Sequence, residues 1–212
     1  MTRILKIGVG LCVLMAIIVA TLAGLAARRT WERSKAPDMP VYGNLPNFSL
    51  MERSGRTVQL SDLSHHVVVF DFIYTSCPGP CPMMSSRMRR LQGELKEDSP
   101  VRFVSVTVDP ETDTREVLQK YADTFGADPT RWLFLTGSRD QIKSLATDGM
   151  HLALEVDAGA KTPSGQGPIV HSTRFVLVDG QGRLRGYYDS DDDDSMKQFV
   201  VDIRRVERED PD

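Results

Sequence analysis

The stretch VVVFDFIYTSCPGPCPMM, residues 67–84, constrains the fold more than any other part of the chain. Val67–Ile73 is an apolar run broken only by Asp71. Such a run reads as a strand covered on both faces, without the alternation of a half-exposed strand. Met84, Met88, Leu91 and Leu95 then recur at helical spacing, so a helix is expected to start near Pro82, where proline suits the first turn. Cys77 and Cys81, four positions apart among prolines, therefore occupy the turn between a buried strand and a helix. Free amides and the helix dipole favour an anion there, and a thiolate is stabilised.

The remaining elements extend this unit. NFSLMERSGRTVQLSDL reads as a hairpin turning at Ser54-Gly55, and Val101–Val108 and Arg131–Leu135 as further strands. Asp113 with Glu116 predicts the cap of a helix running to about Thr124, and Ser138 begins a helix to about Thr147. Thr173–Val178 and Arg183–Tyr188 flank Asp179-Gly180 as a hairpin, and a last amphipathic helix carries Phe199, Ile203 and Val206. Strands alternating with helices and closing in a hairpin plus helix predict a three-layer α/β domain without internal repeats.

In front of it lies an uncharged segment, Ile7–Ala27, whose 21 residues suffice for a membrane-crossing helix. A cleaved signal peptide has a shorter apolar core, so a retained single-pass anchor is expected. The expected organisation is a flank at 1–6, the anchor at 7–27, a proline-containing linker at 28–46, the α/β domain at 47–208 and a tail at 209–212. Arg3 and Lys6 precede the anchor while Arg28, Arg29, Arg33 and Lys35 follow it, so charge alone does not set its orientation. Residues 1–35 carry six basic side chains and one acidic, leaving 20 basic and 28 acidic beyond them. An acidic domain without a basic stripe argues against a nucleic-acid partner.

Cys12 lies within the anchor as a small apolar residue, which leaves Cys77 and Cys81 as an isolated pair. Three readings compete: a structural disulfide, a redox couple and part of a metal site. A domain of this size needs no staple. The placement resembles the thioredoxin-like turn, with three intervening residues instead of two, and Asp71 resembles the buried acid that assists thiol proton transfer there. The bland alternative for Asp71 is a hydrogen-bonded core acid or an edge-facing residue. Two thiolates favour a soft ion, Cu(I) first, whereas zinc usually takes four closed ligands. Of His65, His66, His151 and His171, the last has the most telling setting, after the loop PSGQGPIV and before the strand STRFVLVD. By analogy with thioredoxin-like folds that point faces the cysteine turn, and a histidine replaces the usual proline. His65-His66 reads as a solvated turn, Met83, Met84 and Met88 as core packing, and DSDDDDS at 189–195 as the cap of the last helix.

Three motifs carry a wider resemblance: Phe72–Pro82 (FIYTSCPGPCP), Val108–Thr114 (VDPETDT) and Val170–Asp179 (VHSTRFVLVD). Over about Val41–Val206 the chain resembles the Sco (SenC-type) family of membrane-anchored copper proteins that assist cytochrome oxidase assembly. The resemblance implies a thioredoxin-like domain binding one copper, as Cu(I) or Cu(II), through Cys77, Cys81 and His171. It implies Asp109 and Asp113 as an accessory acidic motif, for which a turn residue and a helix cap are the simpler readings. It further implies a metallochaperone rather than an enzyme, a copper-accepting oxidase subunit as partner, and a thiol reductant or copper donor protein upstream. The alternative is a thiol–disulfide reductase using the same pair, which closes as a Cys77–Cys81 disulfide when oxidised. The implied location is a bacterial inner membrane with the domain in the periplasm.

Overall fold

The computed structural model describes residues 14–25, 39–96, 98–152, 155–161 and 168–209. The flank at 1–6, both ends of the expected anchor, most of the linker, the loop PSGQG before His171 and residues 210–212 lie outside the described residues. The chain divides into two units, Met1–Met39 and Pro40–Asp212. In the first, residues 14–25 form helix α1 with Leu14, Ile17, Ile18, Leu22 and Leu25 all exposed. Among the described residues no helix is long and apolar enough to cross a membrane.

The second unit is built on one mixed sheet. Its strands in chain order are β1 (Gly43–Asn44), β2 (Ser49–Glu52), β3 (Thr57–Gln59), β4 (Val68–Ile73), β5 (Arg102–Thr107), β6 (Trp132–Thr136), β9 (Arg174–Val178) and β10 (Arg183–Asp189). They lie side by side in the order β1-β10-β9-β4-β5-β6-β2-β3. β4, β5 and β6 run parallel, while β9 pairs antiparallel to β4. Strands β7 (Glu155–Lys161) and β8 (Pro168–His171) form a separate hairpin. The helices are α2 (Pro80–Glu94), α3 (Arg115–Thr124), α4 (Arg139–Ser144) with a π-helical turn at Leu145–Gly149, and α5 (Asp193–Glu209).

Period-two alternation sorts the central strands into two buried faces. Val68, Phe70, Phe72, Val104, Val106, Leu133, Leu135, Val176 and Val178 share one core with Ile142, Leu145 and Ala146 from α4 and its extension. The other face carries Val69, Asp71, Ile73, Phe103, Ser105, Trp132, Phe134 and Phe175. There Phe199 of α5 stacks on Phe175 at 5.5 Å, and Tyr121 of α3 meets Phe134 edge-on at 6.1 Å. Each fully buried apolar side chain contributes about 1.5–3 kcal/mol. Sheet between two helical layers is the expected three-layer α/β architecture.

Several local expectations shift. Helix α2 starts at Pro80, with Gly79 as its N-cap, so Cys81 belongs to its first turn. The cap of α3 is Thr114, whose hydroxyl accepts from Val117 N, and not Asp113. His171 ends a strand, not a loop. The acidic run does cap α5: the Asp192 carboxylate accepts from the backbone amides of Asp194 and Ser195.

Candidate metal and thiol site

The parallel strands deliver their C-terminal ends to one pole, where open α/β sheets bind ligands. β4 stops at Ile73; Cys77 N then donates to Tyr74 O at 3.2 Å, closing a tight turn. Gly79 takes an irregular conformation (φ −126°, ψ −106°) and Pro80 opens the helix. Because Pro80 and Pro82 carry no N–H, Cys81 holds the sole backbone donor among residues 80–82. That amide and the Gly79 amide both favour the anionic form of Cys77.

Both cysteines are free thiols, 6% and 1% exposed. They differ sharply in acidity. The Cys81 thiol donates to Cys77 and pulls its pKa well below the usual thiol range; the two amides and Tyr74 assist, against burial. Cys81 is pushed up by the same hydrogen bond, then by burial and by the charges of Cys77 and Asp71. One sulfur is thus poised as thiolate while the other keeps its proton.

Asp71 lies behind the pair, fully buried on the face shared with α3 and α5. Burial pushes its carboxyl up to about 7. Ser105, its partner across the ladder, pulls it partly back without reaching either oxygen in hydrogen-bonding geometry. It is therefore a core acid, but not a hydrogen-bonded one. Tyr121, whose hydroxyl lies 2.9 Å from Ser85 Oγ, is raised by burial and by the charges of Cys81, Asp71 and Cys77. These groups form one electrostatic cluster beneath the cysteine turn.

The two other acids sit at the same pole. Asp113 is fully buried and accepts from Thr75 N (3.0 Å), Thr75 Oγ1 and Thr107 Oγ1. Burial raises its pKa and these hydrogen bonds pull against that. Asp109 is the expected turn residue: its carbonyl accepts from Thr112 N and Asp113 N. Its carboxylate is buried without a hydrogen bond, with Arg139 Nη2 4.0 Å away. The sequence did not assign roles to Thr75, Ser85 or Tyr121, because each acts through residues distant in the chain, nor to Thr107, whose partner Asp113 read as a helix cap.

His171 ends β8 in register with Glu155. β9, which follows it, begins at the pole where β4 ends, since Val68 pairs with Val178 and Phe70 with Val176. Among the side chains described, no third His, Cys, Asp or Glu joins the two cysteines as a metal-binding group. Met84 and Met88 are fully buried core, and His65 is an exposed turn residue in the left-handed region (φ 62°).

The SCO1/SenC family profile matches residues 42–207. The chain belongs to the SCO1/SenC family. A relative, the SCO1 protein homolog of Bacillus subtilis strain 168, is 30% identical over 167 residues, 78% of this chain and 83% of that protein. The structure of BsSco, described as a member of the Sco family of cytochrome c oxidase assembly proteins in which a disulfide switch was identified, superposes with a TM-score of 0.68. It is 28% identical, over 82% of this chain and 98% of that one. Arabidopsis thaliana ScoI, solved with copper bound, gives 0.60 at 26% identity, over 76% of this chain and 98% of that one. The mixed α/β fold of this family member is thioredoxin-like, and its cysteine turn opens the helix after the first parallel strand.

Proposed function

We propose that this family member binds one copper ion through Cys77, Cys81 and His171 and passes it to the copper-accepting subunit of cytochrome c oxidase. The observation that carries the reading is the pair of free, buried thiols at the start of α2, one already polarised towards thiolate. Two sulfurs suit Cu(I), which accepts two or three soft ligands; an imidazole extends the set to Cu(II), which prefers nitrogen. Burial of the sulfurs limits loss of the ion to water, while exposed Ser76, Pro78 and Gly79 leave the turn accessible to a partner's thiolates. Transfer then proceeds by stepwise exchange of one thiolate for another. The copper-bound relative and the oxidase-assembly relative support this assignment. Residues 7–27 are proposed to anchor the chain in a bacterial inner membrane with the domain in the periplasm, supplied by a copper donor protein or a thiol reductant.

The unequal thiols also favour a second reading, a disulfide reductase for the acceptor's cysteines. The Cys77 thiolate attacks the acceptor disulfide and releases one acceptor sulfur as thiolate. The Cys81 thiol then passes its proton to that sulfur and attacks Cys77 in the mixed disulfide, releasing the second acceptor sulfur as thiolate. The acceptor gains two electrons, and Cys77–Cys81 closes.

His171 separates the two. His171→Ala should keep Cu(I) on its two thiolates and lose Cu(II). Anaerobic titration of wild type and variant with each oxidation state is the test. Undiminished Cu(II) affinity in His171→Ala removes the imidazole from the site and favours the reductase.

A further inference from the structure

The ends of β4 and β5 are tied together at the cysteine pole by one buried carboxylate. Thr107 closes β5, and Thr75 stands two residues before Cys77. Asp113 receives three donors from them: Thr75 N and Thr107 Oγ1 on Oδ2, and Thr75 Oγ1 on Oδ1. Thr107 Oγ1 also accepts from Asp109 N at 3.0 Å, and Asp113 N donates to Asp109 O at 2.9 Å. The loop that carries Asp113 is thereby fixed to the same strand end as the groups it binds. Thr114 performs the capping of α3, so Asp113 is not needed for that task.

The chemistry of the three contacts calls for a carboxylate. All three partners donate, and an ionised carboxylate only accepts. An amide of the same shape would turn an N–H towards a donor, leaving a buried polar conflict. Two restraints then bracket the start of the cysteine turn. Val108 N holds Ile73 O at 2.8 Å, and Asp113 holds Thr75 by its backbone and its side chain. The next link is Cys77 itself, whose amide returns to Tyr74 O.

We propose that Asp113 is the positioning residue of the thiol pair. It fixes the Thr75 turn two residues before Cys77, whose own amide returns to Tyr74 O, and so sets where the two free thiols stand. The proposal rests on the reading of Cys77 and Cys81 as working thiols and adds what sets their geometry. The turn so fixed holds both cysteines as free thiols, so the clamp favours the reduced pair. Loosening it shifts the balance towards the disulfide.

The experiment equilibrates the metal-free full-length chain, in detergent, with reduced and oxidised glutathione. Protein dithiol and glutathione disulfide give protein disulfide and two glutathione thiols; two electrons and two protons pass to glutathione. Asp113→Asn and Thr75→Val should each shift this equilibrium about tenfold towards the protein disulfide, or about 30 mV more negative. Thr75→Ser, which keeps the hydroxyl, should stay at the wild-type value. If Asp113→Asn does not fold, Thr75→Val carries the test, since the carboxylate then keeps two of its donors. A lowered melting temperature with an unmoved potential marks a purely structural carboxylate and overturns the proposal. An equal shift in Thr75→Ser and Thr75→Val also overturns it. Copper is absent throughout, so a failure of copper uptake and a failure of the clamp are read separately.

Discussion

Replacing Asp71 with asparagine should stabilise the protein at alkaline pH and do little in acid. The carboxyl is fully buried and neither oxygen has a hydrogen bond. Its pKa rises from an ordinary 3.8 to about 7 on folding. Between those values the folded chain holds a proton that the unfolded chain has released, so stability falls as pH rises. The contribution is fully present below about pH 4 and is lost as pH climbs through about 7. At about 1.4 kcal/mol per pH unit, the loss between pH 5 and pH 8 comes to about 2.5 kcal/mol. The amide of the Asp71→Asn variant does not titrate in this range, so the variant should lack this component. Urea unfolding of reduced, metal-free wild type and Asp71→Asn at both pH values, followed by circular dichroism, isolates it as a difference of differences. A stability gap that is the same at pH 5 and pH 8 would refute the reasoning, because Asp71 would then titrate alike in both states.

The remaining expectations concern the neighbouring thiol and the membrane segment. Cys81→Ala removes the hydrogen bond that most lowers the Cys77 pKa. Loss of a bond to a charged group, about 1.5–3 kcal/mol, should raise the midpoint of Cys77 alkylation by about 1–2 pH units. An unchanged midpoint would transfer the effect to the helix amides. Reporter fusions at Lys35 should be active only on the periplasmic side; activity confined to the cytoplasm would overturn the proposed topology.

What the sequence made legible follows from how local each signal is. β4, α5 and the β9–β10 hairpin rest on apolar periodicity and turn residues within a few positions, and they form where that pattern places them; α2 does too, except that it starts at Pro80, two residues early. β1 has two residues and exists only because Gly43 and Asn44 pair with Leu184 and Arg183 far along the chain. The cap of α3 moved from Asp113 to Thr114 for a tertiary reason. Both residues can cap, but Thr75 and Thr107 claim the carboxylate. The cysteine pair was readable because strand, turn and helix are contiguous there. The acidity difference between Cys77 and Cys81 was not, since it depends on which amides and acids surround each sulfur. Asp71 stood out as an acid in an apolar strand; its coupling to Tyr121 and Cys81 required the packed helices.

The central claim is that Cys77 and Cys81 together hold copper. It is tested most directly by titrating the reduced full-length chain with Cu(I) against a competing chelator, with metal content and sulfur-sensitive absorption-edge spectra recorded at saturation. The account predicts one Cu(I) per chain in a sulfur-dominated environment. It also predicts loss of tight binding in Cys77→Ser and in Cys81→Ser, because one thiolate holds a soft ion poorly. The oxidised chain, its sulfurs joined, should take up none until a dithiol reductant is added. Tight one-equivalent binding that persists in both serine variants would contradict the account.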